Sequence, residues 1–117
     1  MAANTQLSAH VSHTLGDVLI VAQSYLSTAS TNTDFVYDPD LNVPALISDL
    51  QVSFNTINTA RAIFIKTNQP LHVKLNYTGN TPIYVTDFYM VTTEATALFL
   101  SNTANTAATV QIVVLGD

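Results

Sequence analysis

The sequence contains no cysteine, and this absence excludes disulfide bonds, thiol chemistry and thiolate metal sites. Charged residues are also scarce: they make up 9% of the chain, against about 25% in ordinary soluble domains. Thr, Asn and Ser occupy the polar positions instead, so we expect a neutral surface rich in hydroxyl and amide groups. Because few ions must leave water when such a surface is covered, the composition favours a component of an assembly.

Basic residues are limited to Arg61, Lys66 and Lys74, and the formal net charge is −5. Nucleic-acid binding needs clustered Lys and Arg to neutralise phosphates, so we expect no nucleic-acid partner. The N-terminal residues have no basic region typical of an export signal, and the longest wholly apolar run, residues 18–22, is far shorter than the ~20 residues of a membrane span. We therefore expect no membrane partner and synthesis in a cytoplasm.

Short runs rich in β-branched and aromatic residues recur through the second half of the chain, at 83–85, 97–100 and 108–115. Period-two alternation of apolar and polar residues extends from 50 to 77, and Thr, Asn, Gly and Pro connect the runs. The pattern predicts one all-β domain over residues 1–117, an antiparallel β-sandwich of jelly-roll-like type.

Two strands of this meander are apolar on both faces. They are the strand Ile63-Phe64-Ile65 and the strand from Val110 to Leu115. One face belongs to the core, so the other face must be covered by a second sheet, the N-terminal segment or another subunit.

The first thirty residues give weaker signals. Residues 1–13 alternate weakly and predict an edge strand or an N-terminal arm. Between 15 and 26 the apolar residues fall at three- and four-residue steps, typical of a short helix that Thr14 would cap. The β-branched residues Val18, Ile20 and Val21 favour a strand equally well. Both alternatives stay open at this point.

The segment after residue 33 is the best candidate for partner contact. A short strand, residues 34–37, precedes the longest stretch without clear periodicity, residues 38–49. Long loops in compact domains are often functional or interfacial. The residues expected to contact a partner are Phe35, Tyr37, Asp38, Asp40, Leu41 and Asn42.

Metal and catalytic sites are not expected. Asp38, Asp40, Asn42 and Asp49 have the spacing of a calcium loop, but Val43 stands where such a loop needs glycine, so Asx turns are the preferred interpretation. The pair His10 and His13 would point to opposite faces of a strand. No phosphate loop, serine elbow or paired-acid arrangement is present, so we expect a protein that is not an enzyme and binds no cofactor.

Tyrosine is frequent, with residues at 25, 37, 77, 84 and 89, while tryptophan is absent. Aromatic rings beside amide and hydroxyl groups can bind sugars, although the flat face of tryptophan is more usual for that purpose. A carbohydrate-binding module is therefore an alternative, and tyrosines at subunit contacts are the more common outcome.

The string from Ile57 to Asn76, the segment 92–102 and the ending 106–117 resemble small virion structural proteins of tailed bacteriophages. The resemblance covers about residues 50–117 and is closest in size to capsid decoration, or cement, proteins. It implies a virion location, the major capsid protein as partner, stabilised contacts between capsid subunits, and a homotrimer. A phage neck or tail structural protein is the alternative within the same class.

Overall fold

The structure is a computed structural model that describes residues 5–16, 18–29 and 34–117. These residues form ten strands and contain no helix, and hence none that could cross a membrane. The strands are β1 (Thr5–Leu15), β2 (Val18–Ala29), β3 (Asp34–Val43), β4 (Leu50–Gln51), β5 (Ala60–Thr67), β6 (Leu71–Leu75), β7 (Ile83–Val85), β8 (Phe88–Ala95), β9 (Leu98–Ser101) and β10 (Ala108–Gly116).

Strands β3 to β10 form two four-stranded antiparallel sheets that pack together. The first sheet has the order β3-β10-β5-β8, and the second sheet has the order β4-β9-β6-β7. One long antiparallel ribbon is rolled into the two layers. Its four strand pairs are β3 with β10, β4 with β9, β5 with β8, and β6 with β7. This is the strand order of a jelly roll, so the predicted all-β sandwich is confirmed.

The core lies between the two sheets and follows the predicted alternation. In β10, Val110, Ile112 and Val114 are fully buried, and the residues between them are more exposed. In β5, Ile63 and Ile65 are buried in the same layer. The second sheet contributes Leu71, Val73, Leu98 and Leu100 from the opposite side.

Of the two alternatives open for residues 15–26, the structure has the strand and not the short helix. Residues 18–29 are strand β2, which pairs antiparallel with β1 in a separate two-stranded sheet. Thr14 caps no helix, since it pairs with Leu19 in this hairpin, and Gly16 provides the positive φ of 62° near the turn. Residues 18–22 are consecutively apolar and fit either period, and the strand agrees with their β-branched side chains.

The prediction that residues 38–49 are irregular is wrong for residues 38–43. Strand β3 continues to Val43, so only residues 44–49 separate it from β4. Pro39 favours a loop in the sequence, because proline usually interrupts a sheet. Here Pro39 and Asp40 together face Gln111 in a β-bulge on an edge strand, where a missing N–H is tolerated.

Candidate functional site: a partner-binding surface

The side of the first sheet that faces away from the core is apolar across all four strands. Its residues, which we call the outer face, form two rows by strand register: Phe35, Leu115, Ala62 and Thr92, then Tyr37, Val113, Phe64 and Met90. Their neighbours Val36, Ile63 and Val114 pack into the core. Since successive strand residues point to opposite faces, the two rows point outward.

Aromatic side chains dominate the exposed part of the outer face. Phe35 is 68% exposed and Tyr37 is 54% exposed, while Phe64, Met90 and Val113 are half-buried among their neighbours. Outward positions of an antiparallel sheet are normally polar. A contiguous apolar patch on such a face is typical of a protein contact.

The next row of outward residues, towards the end of β5 that leads into β6, is polar. Gln111 pairs with Lys66, and Lys66 pairs with the exposed Phe88. An open cleft of about 650 Å³ lies there, lined by Pro39, Lys66, Thr67, Asn68, Thr86, Asp87, Thr109 and Gln111. The outer face therefore changes from apolar to amide- and hydroxyl-rich along its length.

Every lysine and arginine of the chain is already in an ion pair. Arg61 contacts Glu94 at 3.1 Å and Asp117 at 3.2 Å, and Lys66 contacts Asp87. The pKa of Arg61 is raised, first of all by its hydrogen bond to Asp117.

The fourth ion pair, between Lys74 and Asp49, joins Nζ and Oδ1 at 3.1 Å. Lys74 also donates to the carbonyl of Thr78. The hydroxyl of Ser101 accepts the backbone N–H of Asp49 and donates to its Oδ1. Asp49 is thus engaged by the second sheet and does not complete a calcium loop with Asp38 and Asp40. The described residues contain no group of three or more His, Asp or Glu that could hold a metal ion.

Three acids on β3 have no ion pair among the described residues: Asp34, Asp38 and Asp40. The carboxylate of Asp34 accepts the N–H of Phe35 at 2.8 Å and the hydroxyl of Thr56. Asp38 accepts the N–H of Asp40 at 3.0 Å. Neutral donors stabilise the carboxylates of Asp34 and Asp38 without cancelling their charge. By strand alternation both carboxylates lie on the side of β3 opposite to Phe35 and Tyr37.

The same hydrogen bonds protect the free edge of β3. The N–H groups of Phe35 and Asp40 are taken by aspartate side chains, and Pro39 has no N–H. An incoming strand needs free backbone donors, and bulges, proline and charge all discourage strand addition. The edge of β3 is therefore a poor site for the addition of another strand.

A smaller cleft of about 250 Å³ lies between β3 and the segment that follows β4. It is lined by Val36, Tyr37, Asp38, Leu41, Val52, Ser53, Asn55 and Ile112. The cleft is partly apolar at its base and polar at its rim, so it can receive one apolar side chain of a partner.

All six predicted contact residues lie on β3, which divides them between its two faces. Phe35 and Tyr37 lie on the outer face, Asp38 and Leu41 line the smaller cleft, and Asp40 is exposed at the bulge. Asn42 is exposed and pairs with Thr109.

Sequence reasoning did not name Phe64, Met90, Val113 and Leu115 as contact residues. Apolar residues on both faces of β5 and β10 were the signal that could have found Phe64, Val113 and Leu115, and Met90 follows from the pairing of β8 with β5.

The remaining candidates are dispersed. His10 is exposed on β1, and the side chain of His13 lies outside the described residues. His72 is half-buried and its ring centroid lies 5.1 Å from that of Tyr84. Tyr89 lies against the core, and burial raises its pKa. Tyr37 and Tyr84 belong to different sheets, so the exposed tyrosines do not form one platform.

The chain matches no protein-family model, and no curated protein and no solved structure shows significant similarity to it.

Proposed function

We propose that this protein is a structural component of a tailed-bacteriophage virion, a decoration protein that binds the major capsid protein and stabilises contacts between capsid subunits. The observation that carries the proposal is the apolar outer face with the exposed rings of Phe35 and Tyr37. The jelly-roll fold occurs in viral capsid proteins and also in lectins, so the fold alone does not select the function.

The size of the exposed patch suits an interface. A Phe or Tyr side chain can bury about 150–250 Å². Covering the exposed parts of Phe35 and Tyr37 would remove on the order of 200 Å² from water, worth about 5 kcal/mol before the costs of association. A standard interface buries roughly 800 Å² per partner. These two rings would supply its centre, and the neutral Thr- and Asn-rich surroundings would supply a rim that is easily desolvated.

Stabilisation follows from the same energetics. A protein that binds two neighbouring capsid subunits adds buried interface between them, and that interface must be broken before the subunits separate. No catalytic step belongs to this proposal. The homotrimer implied by the sequence resemblance is a further part of it, and sedimentation equilibrium of the purified chain tests that part separately.

The test is cosedimentation with shells assembled from the major capsid protein of the bacteriophage proposed to encode this chain. We expect the wild-type chain to pellet with the shells at a saturating, fixed ratio. Phe35→Ala and Tyr37→Ala should each lower the affinity about tenfold or more, as expected for aromatic residues at the centre of an interface.

Tyr77→Ala is the matched control, because Tyr77 is 64% exposed but follows β6 of the second sheet. Its affinity should equal that of the wild type. A wild-type chain that stays in the supernatant at every concentration contradicts the proposal, and pelleting with purified tails instead of shells would assign it to the neck or tail.

The polar cleft beside Phe88 favours a carbohydrate-binding module as the second candidate. Asn68, Gln111 and Asp87 place amide and carboxylate groups there, and Phe88 is a 60% exposed ring on the neighbouring strand. Saturable binding of a neutral glycan, lost in Phe88→Ala and retained in Phe35→Ala, would select this candidate.

A further inference from the structure

We infer that two copies of this chain associate through β8, which pairs antiparallel with β8 of the second copy and joins the two first sheets into one continuous sheet. The contact surface is the side of the sandwich formed by the free edges of β7 and β8, which we call the β7–β8 side. This inference does not depend on the proposed function, because it concerns the purified chain alone.

The first observation is the unprotected edge of β8. This strand ends the first sheet, since it pairs with β5 on one side only. Residues 88–95 include no proline and no lysine, and no hydrogen bond from a described side chain reaches their backbone. By contrast, Pro39 and aspartate side chains block the edge of β3. Free N–H and C=O groups on an edge strand are a template for pairing with another chain.

The second observation is that the core is open along the β7–β8 side. Ile83 pairs with the buried Val73, and Val91 pairs with the buried Ile63, so both residues face the core. Ile83 is nevertheless 39% exposed, and Val91 and Tyr89 are only half-buried. The described part of the chain thus leaves apolar core residues partly exposed at the edges of both sheets.

The two open edges together identify the occupant as a second copy. The edge strands β7 and β8 are joined by residues 86–87, so the two sheets end at the same side of the sandwich. A single extended peptide covers the edge of one sheet, whereas a second sandwich presents two stacked edges that match both layers. A two-fold axis perpendicular to the sheets brings β8 against β8 and β7 against β7, so each copy covers the other in the same way.

The sequence of β8 is compatible with this symmetry. When the axis passes through Val91, Val91 meets its own copy, Met90 meets Thr92 and Tyr89 meets Thr93. Inward residues then meet inward residues, and the core and the outer face both continue across the contact. A β-branched apolar pair at the axis is favourable in an antiparallel sheet.

Charge does not oppose the contact. Glu94 is the one charged residue of β8, and it is paired with Arg61. Asp87, just before the strand, is paired with Lys66. In the register centred on Val91, Glu94 lies opposite Phe88, so no two carboxylates face each other. The aspartates of β3 lie at the opposite edge of the sheet.

The area of the β7–β8 side suits a modest interface. An eight-residue strand is about 27 Å long, and two sheets about 10 Å apart are about 20 Å thick with their outer side chains. Each copy therefore covers about 500 Å², and the total of about 1,000 Å² reaches the lower limit of a specific interface. Association should accordingly depend on protein concentration.

Sedimentation equilibrium of the purified chain over a range of concentrations is the first test. We expect a dimer, or a dimer of trimers if the homotrimer of the proposed function also forms. Thr92→Lys places a lysine near the axis on each copy, at an exposed position of β8. It should raise the dissociation constant of the two-fold contact about tenfold or more, because edge lysines discourage strand pairing. Asn105→Lys, in an exposed turn, is the matched control and should leave the constant unchanged.

Disulfide formation is the second test. The chain has no cysteine, so one introduced cysteine can form a disulfide only with a second copy. At the axis the two Val91 Cα atoms would stand about 4.5–5.5 Å apart, within the range that a disulfide bridges. Val91→Cys should form linked dimers about tenfold faster or more than Tyr37→Cys, because pairing holds its thiols at high effective concentration. Tyr37 is 54% exposed, but it lies on the opposite edge strand.

The results that would overturn the inference are specific. A wild-type chain that is a monomer or a trimer at every concentration contradicts the two-fold contact. Equal rates of linkage in Val91→Cys and Tyr37→Cys do the same. An oligomer that Phe35→Ala dissociates and Thr92→Lys does not would place the contact on the outer face instead. None of these results concerns binding to capsid shells, so the proposed function stands or fails independently.

Discussion

Asn102 is the buried polar residue on which one end of the sandwich depends. Only 1% of it is exposed. Its Nδ2 donates to the carbonyls of Val43 at 3.3 Å and Thr106 at 2.9 Å. Its Oδ1 accepts the N–H of Ala104 at 3.0 Å and the Nε2 of Gln69 at 3.2 Å. One side chain thus joins the end of β3 to the loops before β6 and before β10.

Asn102→Ala removes all four hydrogen bonds, but the four groups that lose a bond are not affected equally. The carbonyl of Thr106 and the amide of Gln69 still bond each other at 2.7 Å. The Val43 carbonyl and the Ala104 N–H lose the bonds that Asn102 provides. Since an unsatisfied buried group costs about 1–3 kcal/mol, we expect the free energy of unfolding to fall by about 2–4 kcal/mol and the Tm to fall by roughly 10 °C or more.

Urea unfolding followed by circular dichroism measures this loss. Asn105→Ala is the control, because Asn105 is exposed in the same turn, and it should stay within about 0.5 kcal/mol of wild type. Asn102→Asp should be destabilised at neutral pH, because it places a carboxylate oxygen against two carbonyls. Partial recovery at acid pH is expected, where the protonated group can donate again. Asn102→Ala with wild-type stability would refute the reasoning.

Two further predictions concern stability. Gly116→Ala should destabilise the fold by about 3 kcal/mol in urea titration. The added Cβ would overlap the carbonyl oxygen of Thr59 and stand 3.0 Å from Ala60 Cα, and these backbone atoms cannot move aside. Gly79→Ala should stay near wild type, since its Cβ meets only the mobile ring of Tyr77; equal losses in both variants would contradict this explanation. Because burial raises the pKa of Tyr89, its stabilising contribution is complete below the unfolded-state pKa of about 10 and is lost as pH rises through the higher folded-state pKa. The urea midpoint of the wild type should therefore fall more than that of Tyr89→Phe above pH 10, and parallel curves would argue against it.

Local alternation predicted strands where one face is plainly apolar. Leu71 and Val73 alternate with His72 and Lys74, and the structure buries the first pair in β6. Where apolar residues are consecutive, as in 18–22, helix and strand periods fit equally well, and pairing with β1 shows the strand. Pro39 locally favours a loop, but the structure accommodates it in a β-bulge of β3. That bulge exists only because β3 pairs with β10.

The sequence by itself determined an all-β chain with an almost uncharged surface and no thiol chemistry, because side-chain periodicity and composition are local properties that any arrangement of the strands must respect. Only the tertiary structure decided which side of β5 and β10 faces the core. Ile63 and Phe64 are both apolar, so nothing in their order distinguishes inside from outside, and the packing of the second sheet buries one and leaves the other outward. The outer face therefore joins residues from four strands that are far apart in sequence, and it exists only because long-range pairing aligns Tyr37, Val113, Phe64 and Met90 in one row.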